Sequence, residues 1–487
     1  MKKSIGKNYI YNVIYQVFTL LIPLITTPYV AKVLSVDGIG TYSFTYSIAY
    51  FFSIFAELGS IAYARREIAY CQDDKEKRSI IFWEILLFRI FTTIMCLAVY
   101  IIYIVNSEYL VIGLIQMIYI IAVIFDITWF FQGMEEFKTV VVRNTIIKIL
   151  VMIFIFTFVK SEGDLIIYIF GLAILPLISN IVTWTTLPKY IKKIPIKSLR
   201  PFRHLKGTFA LFIPNIASQV YLLLDKTMLG FLTVDNVENG YYEQAQKIIK
   251  MSWTFLTTFA AVMAPRIAFF VGKNDRESLK KYIRNSFSFT WLIASALCFG
   301  IISIASNLVP WFLGVNYDKV VTLLIIFSFI LFPIGITCVT GTQYLVTIKR
   351  QKVYTISIIT GAVLNLIMNW ILIPKYYSIG TAISSVAAEF IIAVIQVIYV
   401  VYYLKEIEIK DVFLHAWQYL LAGFIMFIVL NYISGFLTAN IYNSIILILI
   451  GATIYFITLI ILRNELVLQG INKMKNIGKK LINKNNI

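Results

Sequence analysis

The chain has 487 residues, 60% of them hydrophobic and 14% charged, with a mean hydropathy of +0.82. Soluble domains run near half apolar and a quarter charged, so an assembly of soluble domains is excluded. Forty-three Lys and Arg against 25 Asp and Glu leave a net charge of +18, which in so apolar a chain reads as the cationic excess of cytoplasmic loops rather than a nucleic-acid footprint.

A crossing helix needs roughly 20 apolar residues, so the composition predicts an all-α integral membrane protein of about fourteen transmembrane helices with almost no soluble mass. Met1-Lys2-Lys3 precedes an apolar run from Tyr9 to Leu34. The run is too long for a signal-peptide core and has no small-residue cleavage site, so it is expected to stay as the first span. The predicted spans are 8–34, 39–64, 79–105, 109–132, 137–159, 164–187, 207–233, 241–271, 283–306, 318–347, 353–373, 379–404, 411–435 and 440–462. Odd-numbered junctions such as Ser35–Gly38 and Asn106–Glu108 carry few cations. Even-numbered ones are basic: Arg65–Arg78, Pro188–Lys206, Arg266–Arg284 and Lys349–Lys352. The alternation predicts a multi-pass protein with both termini in the cytoplasm. The tail from Arg463, with Lys473, Lys475, Lys479, Lys480 and Lys484, reads as a topology signal in contact with anionic lipids.

The sequence echoes itself. Val33-Leu34-Ser35-Val36-Asp37 closes the first span and Phe231-Leu232-Thr233-Val234-Asp235 the seventh, and a tyrosine-containing stretch follows each. An offset of six spans preserves orientation, so the halves are expected to be parallel repeats. The predicted organisation is a six-helix lobe at 1–187, a basic linker at 188–206, a second six-helix lobe at 207–404, two further helices at 405–462 and a basic tail at 463–487.

Cys71, Cys96, Cys298 and Cys338 form no close pair, and His204 and His415 are too few for a zinc site, so neither a disulfide framework nor a metal centre is expected. No phosphate loop, nucleophile elbow or His-Glu-x-x-His is present. The longest loop is too short for a catalytic domain, which argues against a membrane glycosyltransferase, polymerase or ligase.

What remains is charge within apolar segments, each costing about 3 kcal/mol at mid-span unless paired or hydrated. Those residues are Glu57, Glu84, Arg89, Asp126, Arg143, Lys148, Asp225, Lys226, Lys247, Lys250 and Glu389. Glu84 and Arg89 lie on neighbouring turns, where an internal ion pair competes with a functional role. Asp225 and Lys226 are adjacent and point about 100° apart, so a cavity role competes with mutual neutralisation. Lys247 and Lys250 make a cationic stripe with no obvious carboxylate on that face, to be weighed against snorkelling. Arg65 and Arg66 close the second span, and Arg266 follows Pro265 near the end of the eighth. A ring of such cations suits a diphosphate, since an arginine fork matches phosphate oxygens; ordinary positive-inside anchoring is the alternative. Asp126, followed by Thr128, Trp129 and Gln132, could take a cation, stack and bond sugars, or pair with a lysine. Pro23, Pro28, Pro176, Pro214 and Pro333 fall inside spans and bend them.

Pro23-Leu24-Ile25-Thr26-Thr27-Pro28-Tyr29-Val30, then Val33-Leu34, Gly38-Ile39-Gly40 and Tyr42-Ser43, resemble the opening of the Wzx-type polysaccharide flippases. Leu58-Gly59, Arg65-Arg66-Glu67-Ile68-Ala69 and Pro265-Arg266 fit the same pattern, with Lys32 in place of an arginine and Ser35 in place of a glycine. The resemblance implies the multidrug/oligosaccharidyl-lipid/polysaccharide exporter superfamily, with two six-helix lobes around a central cavity. It implies translocation of an undecaprenyl-diphosphate-linked oligosaccharide across the bacterial cytoplasmic membrane for O-antigen, capsule or exopolysaccharide assembly, by a transporter and not an enzyme. Substrate contacts are then expected from Arg65, Arg66, Lys226, Lys247, Lys250 and Arg266. No cofactor is expected; coupling to Na+ or H+ would run through Glu57, Asp126 or Asp225. A polysaccharide polymerase and a chain-length regulator are the expected protein partners, with no nucleic acid. A lipid II or teichoic acid precursor flippase is the nearest alternative. A cation-coupled drug antiporter fits less well, because its cavity would favour negative charge.

Overall fold

The computed structural model describes residues 5–405 and 407–472; the side chains of 5–17, 20, 137–139, 196, 213–215, 217–218 and 220–222 lie outside that description. So do Met1-Lys2-Lys3 and the tail lysines Lys473, Lys475, Lys479, Lys480 and Lys484. Every regular element among the described residues is helical. Eleven helical stretches among them are long and apolar enough to cross a membrane; one, Gln351–Leu404, takes in two of the sequence segments. The chain forms two compact units, Met1–Gly240 and Tyr241–Ile487.

The first unit contains α1 (Ile5–Val33), α2 (Val36–Glu57), α3 (Ser60–Tyr70), α4 (Lys75–Val105), α5 (Leu110–Phe125), α6 (Thr128–Gly133), α7 (Phe137–Phe158), α8 (Leu165–Thr183) and α9 (Leu205–Leu232). Polar caps begin α2 and α4. Ser35 accepts from the Gly38 amide at 3.1 Å ahead of α2. Asp74 accepts from the amides of Glu76 and Lys77 at 3.0 and 2.9 Å ahead of α4. Each satisfies amides that have no partner inside the helix. Apolar periodicity then sorts the faces. α4 buries Phe82, Ile85, Leu86 and Phe88 while Phe91, Ile94, Met95 and Ile102 stay exposed, an exterior suited to hydrocarbon rather than water.

In the first unit, two segments that read as continuous spans are broken. The second divides between α2 and α3, where Leu58 and Gly59 adopt φ of 45° and 72°. The fourth divides at Asp126-Ile127, between α5 and α6. Beyond the breaks, α3, α4 and α6 share a core of Ala64, Ile68, Phe82, Trp129 and Phe130, closed by Leu187 from the turn after α8.

The linker that reads as a topology signal lies along α4. Lys75 Nζ donates to the Lys189 carbonyl at 3.2 Å, Arg78 Nη2 to that of Tyr190 at 2.6 Å, and Trp83 Nε1 to that of Lys192 at 3.0 Å. In return the Lys192 amide donates to Ser79 Oγ at 2.8 Å and the Arg200 amide to Glu84 Oε1 at 2.8 Å. Main-chain groups make these bonds, so Lys192, Lys193, Lys197, Arg200 and Lys206 remain exposed.

The echoed segments meet. A Cβ on Gly40 would lie 1.7 Å from the Asn236 carbonyl oxygen, and one on Gly240 would lie 2.1 Å from that of Val36. Residues 36 and 40 thus face 240 and 236 in reciprocal register, the pattern of a local two-fold axis. Asn236 Nδ2 adds bonds to Thr41 Oγ1 at 3.1 Å and the Tyr109 hydroxyl at 2.7 Å. Gly40→Ala is expected to cost about 2 kcal/mol by overpacking against main chain, read as a lower melting temperature of the detergent-purified protein; an unchanged melt would mean that the helices can separate freely here.

The second unit contains α10 (Val237–Gly272, its first four residues in unit one), α11 (Arg276–Phe312), α12 (Asp318–Ser328), α13 (Leu331–Thr337), α14 (Gln351–Ile398), α15 (Ile409–Val412), α16 (Ala416–Ser434) and α17 (Ile441–Ile461). α13 continues into a π-helical turn, Cys338–Leu345, and α14 bends at Tyr377, where φ is 54° and ψ −132°. α15, α16 and α17 are each tied to α11: Trp291 Nε1 donates to the Val412 carbonyl at 2.8 Å, Ser295 Oγ to that of Tyr419 at 2.6 Å and the Tyr455 hydroxyl to that of Leu292 at 2.9 Å.

Candidate substrate and ion sites

In the first unit, charge gathers at the two helix breaks. Arg89, at mid-α4, is fully buried. Its Nε and Nη2 donate to the Val123 carbonyl at 3.2 and 2.5 Å, and Nη1 donates to Ser60 Oγ at 3.0 Å. One guanidinium therefore joins the residue that opens α3 to the last turn of α5. A planar fork can do this because its donors diverge at fixed angles. Glu57, the last residue of α2, lies within electrostatic reach of both Arg89 and Asp126. The Asp126 carboxylate accepts from the Thr128 amide at 2.9 Å and hydroxyl at 2.6 Å, opening α6. Its neighbour Trp129 is no sugar platform: the indole is fully buried, stacked on Phe82 at 5.3 Å and 26°.

Of the two readings of Glu84 and Arg89, the mutual ion pair does not form. Glu84, only 1% exposed, turns to the linker: Oε2 meets Arg203 Nη2 at 2.5 Å and His204 Nε2 at 2.9 Å. His204 Nδ1 in turn lies 3.0 Å from the Tyr63 hydroxyl of α3. With Glu84 accepting, Nε2 carries the proton and Nδ1 accepts from Tyr63. Burial pushes the His204 imidazole below its ordinary 6.5, with Glu84 working the other way and Arg203 adding to the depression. The fold thus favours neutral histidine. Falling pH protonates the unfolded chain first, so stability drops as pH falls through about 6.5. His204→Gln is expected to flatten that part of the melting-temperature profile; an equal slope in parent and variant would assign the titration to another group.

Arg65 and Arg66 lie on α3, both exposed. Arg66 Nη2 meets Glu67 Oε1 at 3.2 Å, and its guanidinium sits 5.4 Å from the Tyr63 ring centroid. On α9, Asp225 and Lys226 are buried, at 3% and 7% exposure, and neither is without a partner. Next to them Thr227 Oγ1 lies 2.8 Å from Ser47 Oγ.

In the second unit, Lys247 and Lys250 share a face of α10, but that face does carry a carboxylate. Lys247 Nζ pairs with Glu243 Oε1 at 3.2 Å across one turn, and Lys250 Nζ donates to Gln246 Oε1 at 2.9 Å. Glu followed four residues later by Lys is the favoured helical order, and the sequence reading overlooked it. Pro265 and Arg266 are exposed near the end of the helix.

Hydropathy scanning also missed the neutral amides. Gln396 accepts from Thr340 Oγ1 at 2.8 Å and donates to Ser357 Oγ at 2.9 Å. Gln244 and Gln343 are fully buried with both amide atoms lacking a hydrogen bond among the described residues. Such groups are costly in an apolar interior. A glutamine within a predicted span was the available signal.

Residues 5–271, more than half of the chain, match the family profile described as polysaccharide biosynthesis protein. The chain belongs to the polysaccharide biosynthesis protein family. A candidate O-antigen transporter of Escherichia coli (strain K12) is 25% identical to this family member over 409 residues, covering 82% of this chain and 97% of its own. Its counterpart from Shigella dysenteriae is also 25% identical, over 76% of this chain and 94% of its own. Among solved structures, the lipid II flippase MurJ in an inward closed conformation aligns with a TM-score of 0.74 at 19% identity, covering 94% of this chain and all of that one. An inward-facing multidrug resistance MATE transporter aligns with a TM-score of 0.57 at 14% identity, over 85% and 99%. These likenesses establish the fold of this family member as an all-α, multi-pass membrane transporter fold.

Proposed function

We propose that this protein is a polysaccharide flippase, a transporter and not an enzyme, that moves an undecaprenyl-diphosphate-linked oligosaccharide from the cytoplasmic to the outer leaflet of the bacterial cytoplasmic membrane. Alternating access carries the headgroup, with both termini on the cytoplasmic side as the loop charges suggest. The observation that carries the reading is cationic side chains kept within the apolar helices of a polysaccharide biosynthesis family member: Lys226 on α9, Lys247 and Lys250 on α10. A diphosphate and a glycan cannot cross hydrocarbon unsheltered, and such cations supply the counter-charge. Arg65, Arg66 and Arg266 add exposed cations that meet the diphosphate on entry. Asp225, Glu57 and Asp126 are the acceptors for Na+ or H+ if a gradient drives the cycle. The glycan passes on to a polymerase and a chain-length regulator.

The test is export in cells lacking the chromosomal gene and supplied with parent or variant on a plasmid. Lys226→Ala is expected to reduce surface glycan about tenfold or more at normal protein level, since a lost charge-assisted bond to substrate is worth about 2 kcal/mol; Lys250→Ala is expected to act in the same direction. Normal surface glycan in the Lys226, Lys247 and Lys250 alanine variants alike would refute the cation assignment.

A further inference from the structure

In the second unit, the first turns of α11, the connection from α15 to α16 and the residues after α17 enclose a cavity of about 460 Å3. Lys281, Arg284, Asn285, Ser288 and His415 line it, with Leu414 and Leu466. Arg284 is held for use. Its Nε lies 3.3 Å from Asp411 Oδ1, and Asp411 is 1% exposed, fixed by the Glu408 amide at 3.0 Å and Lys280 Nζ at 3.4 Å. Nη1 and Nη2 of Arg284 donate no hydrogen bond among the described residues, and Lys281 makes no ion pair among them. The Arg284–Asp411 contact is an ion pair and not a hydrogen bond, so all of the guanidinium's outer edge stays available as a two-pronged donor, the geometry that matches two phosphate oxygens. Glu277 and Glu465 also line the cavity, but both are exposed, where solvent screens them.

The cavity's level in the membrane is marked by its neighbours. Phe413 and Trp417 flank Leu414 and His415 in sequence and are both exposed, as aromatic side chains are at a membrane–water boundary. Arg276, Lys280, Lys281 and Arg284 cluster on the polar start of α11, whose later turns are apolar, as at a cytoplasmic helix end. A ligand there meets cations at one end and hydrocarbon at the other.

We propose that this cavity binds the phosphate of a membrane lipid headgroup, with the Arg284 fork and the Lys281 ammonium on its oxygens, Ser288 and Asn285 beside them, and the lipid chains running past Leu414 and Leu466. The ligand is a lipid-borne phosphate: a phosphatidylglycerol or cardiolipin of the leaflet, or a prenyl diphosphate. The proposal goes beyond the flippase reading and stands without it.

The test is native mass spectrometry of the full chain in detergent, titrated with phosphatidylglycerol, cardiolipin, undecaprenyl diphosphate and, as the soluble probe, inorganic phosphate. The parent is expected to retain one phosphate lipid per chain, and Lys281→Ala with Arg284→Ala to weaken retention about tenfold or more. Arg284 also serves Asp411, so the double variant carries a folding risk. Lys281→Glu alone avoids it and is expected to weaken retention about fivefold with an unchanged melt. Retention of phosphatidylglycerol or cardiolipin assigns the site to bulk lipid, and retention of undecaprenyl diphosphate assigns it to a prenyl carrier; either supports the proposal. Unchanged retention in both variants overturns it, as does saturation by inorganic phosphate with no lipid bound. The readout is lipid retention, so loss of the flippase reading in the export assay would leave this result unaffected.

Discussion

Glu84→Ala is expected to lower the stability of the purified protein by about 4 kcal/mol, the size seen when one partner of a buried polar network is removed. The loss is large because three groups converge on one buried carboxylate: the Arg200 amide at 2.8 Å, Arg203 at 2.5 Å and His204 at 2.9 Å. Arg203 is half exposed and can turn to water, so most of the cost falls on the Arg200 amide and His204, which cannot. Glu84→Gln keeps an acceptor oxygen for the amide and is expected to lose about half as much. Two measurements bear on this. The melting temperature in detergent gives the stability, and hydrogen exchange over 188–204 reports whether the linker has come away from α4. Slow exchange in the alanine variant would mean that Arg78, Trp83 and Ser79 hold the linker without Glu84.

Arg89→Ala is expected to cost about 4 kcal/mol as well, by a different route. Removing the guanidinium leaves the Val123 carbonyl and the Ser60 hydroxyl without their donor and leaves Glu57 and Asp126 without the cation that both feel. Two helix breaks lose their common tie. Arg89→Lys restores the charge but not the divergent donors, so it is expected to recover about half the stability and to hold only one of the two acceptors. A variant in which Glu57→Gln is added to Arg89→Ala separates the terms. If unpaired negative charge dominates, the second change restores melting temperature; if the lost bridge dominates, it does not. Parent-like melting of the single alanine variant would refute the bridging role.

The helices were legible because lipid-facing helices need long apolar runs, and each of the fourteen predicted segments is helical, 353–373 and 379–404 sharing the bent α14. The breaks at Leu58-Gly59 and Asp126-Ile127 were not, because apolar residues continue on both sides of them. Only Gly59 and the Asp-x-Thr spacing of Asp126 and Thr128 hinted at an interruption. The partner of Glu84 was not legible for a related reason. Arg89 is near in sequence, whereas His204 and Arg203 are brought to Glu84 by a linker whose own attachments run through main-chain carbonyls, which carry no side-chain signal. The Glu243–Lys247 pair was readable from spacing alone. The stretches that echo each other around Val36 and Val234 lie against one another through Gly40 and Gly240, a contact that the echo itself did not announce. Among the candidate site residues, burial distinguishes Asp225 and Lys226 from the exposed Arg65, Arg66 and Arg266, a distinction that hydropathy within a span does not make.

The linker's grip on α4 also sets a timetable for biogenesis. His204 lies 120 residues beyond Glu84, which at roughly 10 residues per second of translation is about 12 s of synthesis. Through that interval the ribosome has released a helix whose carboxylate has no partner yet. α4 is therefore an unfinished segment until the start of α9 emerges, held near the aqueous side. The first unit matures only when its last helix begins, so a nascent chain stalled before residue 204 presents the quality-control machinery with an incomplete unit rather than a shorter stable one.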